Sequence, residues 1–387
     1  MSLQNSAAAV GDADADADWL YLNPAARRWT SSVAASPVQV EALHRRLPEF
    51  NETPLVSLPA VAAELGLAHV LVKDESRRFG LPAFKILGAA WAVYRAAAAR
   101  AQLPPTVSLE ELGTAARADG VRLVTCTDGN WGRAVARMAK YLDLPARIFV
   151  PANMDQTTRD NIGSEGAEVC VVQGDYDASI RAATAEAESC SGLLVMDTSW
   201  PGYEEIPTWV VEGYYTMLRE TDRQVLELTG RPATCAVASV GVGSWAQAVT
   251  AHYKSKQPSA TVVTAEPTAA ACLQTSLRAG KIVPIRTGDT IMCGMNCGTV
   301  SSLAWPVLRD GVDASVSISD LESHKAVQAL HSGGVAGGPC GAAPLATLRK
   351  LSRDSTVKSA LGLGSESVLV LFCTEGARPY NVPDEEQ

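Results

Sequence analysis

Short apolar runs closed by turn residues alternate along this chain with amphipathic or alanine-rich stretches of helical length. The runs are Val70 to Lys73, Arg122 to Thr127, Arg147 to Pro151, Glu168 to Gln173, Leu193 to Asp197, Thr234 to Val240, Thr261 to Glu266 and Ser367 to Cys373. Their near-continuous apolar character suits strands covered on both faces, so they read as buried parallel strands. The helical stretches are Ala83 to Arg100, Trp131 to Leu142, Ser179 to Glu188, Ile206 to Glu220 and Ser244 to Tyr253. This alternation predicts an α/β fold with parallel sheets. A length of 387 residues, with 47% hydrophobic and 19% charged side chains, is enough for two packed domains.

Charge and cysteine content narrow the partners. The 42 acidic and 33 basic residues give a formal charge of −9, and no Lys/Arg run counters the repulsion from a phosphate backbone, so nucleic acid is not expected as a partner. Nine scattered cysteines, odd in number and without a C-x-x-C pair, suit reduced thiols and a cytoplasmic protein better than a disulfide frame or a metal site. The start of the chain lacks the order of a signal peptide and carries Asp12, Asp14, Asp16 and Asp18, which reads as a disordered acidic tail over residues 1–20. The uncharged run Ala233 to Tyr253 is long enough to raise a membrane span, but Gly241, Gly243, Ser244, Gln247 and His252 interrupt it. Strand, loop and helix explain it better, and no membrane is expected.

Four segments could carry chemistry. Lys85, flanked by Phe84 and Ile86 and followed by Gly88, could be held out of water, which lowers an amine's pKa and lets it form a Schiff base. A solvated lysine at a helix start is the plainer alternative. Thr127-Asp128-Gly129-Asn130 ends a strand and begins a helix, where ligands gather in open α/β sheets and free N–H groups attract anions. Taken alone, a helix cap, with Thr127 or Asp128 capping, is the plainer reading there. Gly241-Val242-Gly243-Ser244 could cradle a phosphate with backbone amides or be an ordinary strand-to-helix turn. Cys373-Thr374, at the end of the last run, offers a hydrogen-bonding group, or an inert buried cysteine. The tract Ser332 to Pro344 is rich in glycine, which suits a backbone that must come close to something.

Taken together these segments resemble one family. Phe79-Gly80-Leu81-Pro82-Ala83-Phe84-Lys85, Thr127-Asp128-Gly129-Asn130, Ile206-Pro207-Thr208-Trp209 with Glu212-Gly213-Tyr214, and Thr290 to Gly298 are similar to the diaminopropionate ammonia-lyases, pyridoxal-phosphate enzymes of the tryptophan synthase β-like fold. The likeness runs in order from about Asn51 to Gly376. It implies two parallel-sheet α/β domains with the active site between them. The larger would be built from 21–95 and 190–387, and the smaller, mobile one from 96–189.

The resemblance also implies roles. Lys85 would carry the cofactor and shuttle the α-proton, and Asn130 would bond the cofactor's 3-oxygen. Gly241, Val242, Gly243 and Ser244 would hold the phosphate, and Cys373 or Thr374 would face the pyridine nitrogen as a neutral group. Asp128 would take the α-proton of a D-substrate, and Asp177, in Asp175-Tyr176-Asp177, would meet the distal amine. The expected reaction is α,β-elimination from a small amino acid, 2,3-diaminopropionate giving pyruvate and ammonia, in a homodimer. A serine/threonine dehydratase, a β-replacement synthase and a non-catalytic amino-acid-binding homologue are the alternatives. The chain departs from the family at Trp131, where histidine is usual, at Gly337 to Gly341, where a glutamate is usual, and at Ala377, where an aspartate is usual.

Overall fold

The computed structural model describes residues 18–31, 38–127, 129–174, 176–189 and 192–384, without the side chain of Asp177. Eleven strands form two sheets among these residues. They are β1 (Leu20–Leu22), β2 (Leu55–Ser57), β3 (His69–Asp74), β4 (Arg122–Cys126), β5 (Ala146–Pro151), β6 (Glu168–Val172), β7 (Gly192–Leu194), β8 (Cys235–Ser239), β9 (Thr261–Pro267), β10 (Ala314–Ile318) and β11 (Val368–Cys373). Seven make one sheet in the order β1-β10-β9-β8-β11-β3-β2, and four make the other in the order β6-β5-β4-β7. The smaller sheet is wholly parallel. In the larger, only the edge strands β1 and β2 run antiparallel to their neighbours.

All eight expected apolar runs are strands, each within two or three residues of its expected ends. Three further strands escape a reading by apolar runs. β1 and β2 are three-residue edge strands, and β10 alternates alanine, valine and isoleucine with Ser315 and Ser317. Both serines are buried. Their backbones are served from outside the sheet: Gln274 Nε2 donates to Ser315 O at 3.0 Å, and Ser317 N donates to Trp19 O at 2.8 Å. The chain is therefore tied down at Trp19, and Leu20 is already a strand residue, slightly earlier than expected for the end of the acidic tail. Asp12, Asp14 and Asp16 lie outside the described residues.

The helix Ile86–Arg100 connects the two sheets. It is alanine-rich, buried along nearly its whole length, and packs against both the helix Glu205–Gly213 and the helix Asn130–Leu142. Two glycines permit the first contact, since a Cβ on Gly88 would lie 2.8 Å from the Tyr214 ring and one on Gly213 would lie 2.4 Å from Leu87 O. One apolar cluster runs without a break from Leu123 and Ile148 of the small sheet, through this helix, to Ala236 and Val370 of the large one. The uncharged run from Ala233 resolves into β8, a glycine turn and the helix Ser244–Lys254. Among the described residues no helix is long and apolar enough to cross a membrane.

The expected helix from Ala83 starts only at Ile86, because the preceding loop is committed elsewhere. Arg78 and Leu81 exchange two backbone hydrogen bonds of 2.9 Å, and between them Phe79 and Gly80 take φ of 51° and 69°. Asn51 accepts from Phe79 N at 2.7 Å, and Arg78 is anchored in a buried ionic cluster. The expected helix Ile206 to Glu220 is two helices, Glu205–Gly213 and Tyr215–Thr229.

Candidate active site

The C-terminal ends of the central strands of the large sheet meet those of the small sheet around one cavity of about 130 Å³. Its wall brings together Lys85, Asn130, the turn Gly241 to Ser244 and Thr374, residues that stand far apart in the chain. Ligand sites at strand C-termini are what parallel α/β sheets provide, because loops and helix starts collect there.

Lys85 sits at the foot of the helix Ile86–Arg100, and its side chain is 20% exposed. Its ammonium pairs with the buried carboxylate of Asp197 and lies 5.8 Å from the Phe84 ring centre and 5.9 Å from that of Trp131. Phe84, Tyr214 and Trp245 pack on one another at 5.0 to 5.5 Å beside it, an aromatic wall that keeps water from the amine. Burial pushes the Tyr214 hydroxyl well above its ordinary pKa, against the pull of the Lys85 charge, so it is a neutral neighbour. Asp197 follows β7 and ends the expected run Leu193 to Asp197. An acid at the end of an otherwise apolar strand was the signal that could have found it.

The glycine turn has the build of an anion cradle. Gly243 caps the helix Ser244–Lys254 in a left-handed conformation (φ 100°). The first helical amide to bond back is Gln247, to Gly243 O at 2.8 Å, so the amides of Ser244 to Ala246 face out of the helix start. Close approach is needed throughout: a Cβ on Gly241 would stand 3.2 Å from both Cys297 Sγ and Gly294 O, and one on Gly243 would stand 3.0 Å from Leu308 Cδ1. Ser301 N donates to Val242 O at 2.8 Å and holds the turn from behind.

Of the two candidates at the end of β11, Thr374 is on the cavity wall and Cys373 is not. Side chains alternate along an extended chain. Cys373 therefore turns the other way and is fully buried, its Sγ against Gly337 and Gly341. The glycine tract comes close to this part of the chain itself, for Gly338 approaches Gly376 O just as nearly. The second half of the tract is helical, Pro339–Ser352. Thr374 Oγ1 lies 3.4 Å from Ser239 Oγ, which also lines the cavity and had not been singled out.

Asn130 opens the helix Asn130–Leu142, and its Nδ2 is 3.5 Å from Glu375 Oε2. Glu375 and Arg378, both on the wall, were missed because the loop after β11 has no helical or strand pattern to mark which side faces inward. Asp128 lies outside the described residues. Asp177 falls in the helix Tyr176–Ser189, with its side chain outside them too. The three departures from the expected pattern all border this region. Trp131 is buried behind Lys85, its indole N–H donating to Thr125 Oγ1 at 3.0 Å and Val195 O at 3.1 Å. Cys340 lines the cavity, and Ala377 lines a second one beside it.

Residues 47–374 match the model of the pyridoxal-phosphate dependent enzyme family. The diaminopropionate ammonia-lyase of Salmonella typhimurium is 36% identical over 299 residues, 75% of this chain and 74% of that protein. The enzyme of the same name from Escherichia coli is 33% identical over 348 residues, 86% of each. A crystal structure of the Escherichia coli enzyme in complex with D-serine superposes with a TM-score of 0.83 at 30% identity, covering 92% of this chain and 93% of that one. Maize serine racemase, at 22% identity and a TM-score of 0.70, shares the fold. With a family match over most of its length and relatives of this identity and coverage, the chain belongs to the pyridoxal-phosphate dependent enzymes, among the diaminopropionate ammonia-lyase-like members of the tryptophan synthase β-like fold.

Proposed function

We propose that this protein is a pyridoxal-phosphate-dependent ammonia-lyase that eliminates the β-amine of 2,3-diaminopropionate, giving pyruvate and ammonia. One observation carries the reading: a shielded lysine amine, a glycine turn with outward amides and a neutral hydroxyl pair line a single cavity. These groups fit the cofactor. The Gly241 to Ser244 turn would hold its phosphate, Lys85 its aldehyde carbon, Asn130 its 3-oxygen, and Thr374 with Ser239 its ring nitrogen. When bound, pyridoxal phosphate supplies a conjugated ring that takes up the electron pair left at Cα.

This chain's own residues do the rest. Lys85 Nζ takes the α-proton of an L-substrate, and the Asp197 carboxylate stabilises the ammonium so formed. Asp128 takes the α-proton of a D-substrate from the other side, a role supported by the family resemblance. Asp177 meets the distal amine as it departs, on the same support. The aromatic wall excludes water, and closure of the unit that carries the small sheet completes the exclusion. We read the enzyme as a cytoplasmic homodimer, which size-exclusion chromatography with light scattering tests.

The deciding measurement is product formation by the purified holoenzyme. Pyruvate is expected from diaminopropionate and not from serine, and the reverse pattern would replace this reading with a dehydratase. Asp128→Asn is expected to reduce turnover of the D-enantiomer at least about tenfold more than that of the L-enantiomer; equal losses would remove Asp128 from its role. Gly243→Val forces a branched side chain into left-handed backbone and against Leu308, at a cost of about 1–3 kcal/mol. Equilibrium dialysis should show pyridoxal-phosphate affinity about tenfold or more weaker.

A further inference from the structure

The cavity beside Lys85 adjoins a second one of about 490 Å³, and the two share Gly129, Asn130, Asp155, Thr158, Glu375 and Arg378. The second is several times larger than the first, far more room than one distal amine needs. What would hold a longer substituent there depends on which charged groups on the shared wall still have bonding capacity.

The two acids are committed within the protein. Asp155 caps the helix Gln156–Gly163, accepting from Thr158 N at 2.8 Å with one oxygen and from Thr158 Oγ1 at 2.7 Å with the other. Glu375 accepts from Cys340 N at 2.9 Å, and its other oxygen faces Asn130. Residue 377, on the wall of the larger cavity, is alanine. Arg133, also on that wall, is paired with Glu165 at 3.0 Å.

Arg378 is held less tightly than these groups. Its guanidinium donates to Ile291 O and contacts Cys293, and its Nε forms an ion pair with Glu375 at 3.6 Å, longer than a hydrogen bond. The side chain is 31% exposed. A guanidinium has five N–H donors in a planar fork that matches a carboxylate, so those not engaged by Ile291 O, Cys293 and Glu375 are left for a ligand that bridges the two cavities.

We infer that this enzyme accepts 2,3-diaminopropionates whose β-nitrogen carries a short substituent ending in a carboxylate, and that Arg378 binds that carboxylate. The inference rests on the elimination chemistry proposed above. The Cα–H and Cβ–N bonds break and a Cα=Cβ bond forms. The electron pair of the Cβ–N bond leaves with the nitrogen, which gains a proton and departs as an amine; the remaining enamine takes up water to give pyruvate and ammonia. With a carboxymethyl substituent the departing amine is glycine.

The test compares N3-carboxymethyl-diaminopropionate with its uncharged N3-(2-hydroxyethyl) counterpart on the holoenzyme. The carboxylate compound should have the higher kcat/KM by about tenfold or more. In Arg378→Gln the preference should fall to within about threefold, chiefly through KM, and Arg378→Lys should restore part of it. A pair that cannot eliminate gives a second readout by calorimetry: 2-aminoadipate should bind at least about tenfold more tightly than 6-hydroxynorleucine, and Arg378→Gln should erase the difference. No preference in the wild type, or one that survives in Arg378→Gln, overturns the inference. Pyruvate from unsubstituted diaminopropionate without any carboxylate preference would sink it alone. No pyruvate from any of the three would sink the elimination reading, and the calorimetric pair would still decide what Arg378 binds.

Discussion

Lys85→Ala is expected to abolish the visible absorbance of lysine-bound cofactor and to reduce pyruvate formation on the order of 10⁴-fold or more. The amine combines three properties in one place: it is mostly withdrawn from solvent, it is paired with the buried Asp197, and it lies among Phe84, Trp131 and the glycine turn. A lysine kept only to neutralise Asp197 would have the first two without needing the third. Lys85→Arg separates the roles. It preserves the charge opposite Asp197 and therefore folding, but a guanidinium does not condense with an aldehyde. Activity and absorbance should both be lost in the arginine variant while its thermal midpoint stays close to the wild type. Retention of the absorbance band in either variant would remove Lys85 from the chemistry.

Arg78→Met should be the most destabilising of the single substitutions considered, by about 3–5 kcal/mol in urea denaturation. Arg78 is fully buried and gives a fork of bonds to Glu75 at 2.7 and 2.8 Å and to Glu220 at 2.6 and 3.0 Å, with Asn51 O at 2.7 Å and Thr53 Oγ1 at 3.0 Å completing its donors. Lys73 contributes the second positive charge, bonding Glu220 at 3.1 Å and Thr53 O at 2.7 Å. Two buried acids and two buried bases balance. Removal of Arg78 leaves one carboxylate without compensation in a site closed to water.

The pH dependence gives a second reading of the same cluster. Burial alone would raise the Glu75 carboxyl, but the Arg78 charge and hydrogen bonds, with Lys73 and Thr53, outweigh it and hold its pKa below the ordinary value. A carboxyl depressed on folding stabilises the protein above its unfolded pKa, and that stability is lost as pH falls through the lower, folded value. In Arg78→Met the depression disappears. The stability gap between variant and wild type should therefore be largest near neutrality and shrink on acidification below about pH 4. A gap that is constant with pH would mean that Arg78 contributes by packing alone.

Eight of the nine parallel strands were legible because each is a bounded apolar run, and the residues between them left only helices as connectors. β1 and β2 were not, since three residues give no period, and β10 was hidden by two serines whose burial depends on Gln274 and Trp19, distant partners that local pattern does not reveal. The site divides similarly. Lys85, Asn130, the glycine turn and Thr374 stand in strings whose residue types are unusual for their positions. Ser239 and Arg378 are common residues in unremarkable surroundings, and only the convergence of strand ends brings them to one cavity. The choice between Cys373 and Thr374 turned on which way one side chain points where the strand ends, a matter of phase that a candidate pair cannot state.

β11 is the last of the eleven strands in chain order, yet it occupies an inner position between β8 and β3. During synthesis its two neighbours are both made earlier and must wait, each with a hydrogen-bonding edge exposed to other chains. The loop that follows it also delivers Thr374, Glu375 and Arg378. A ribosome-bound intermediate would thus present a split sheet and a cavity wall without Thr374, Glu375 and Arg378, and joining the two halves would complete that wall in the same event that ends the hazard of aggregation.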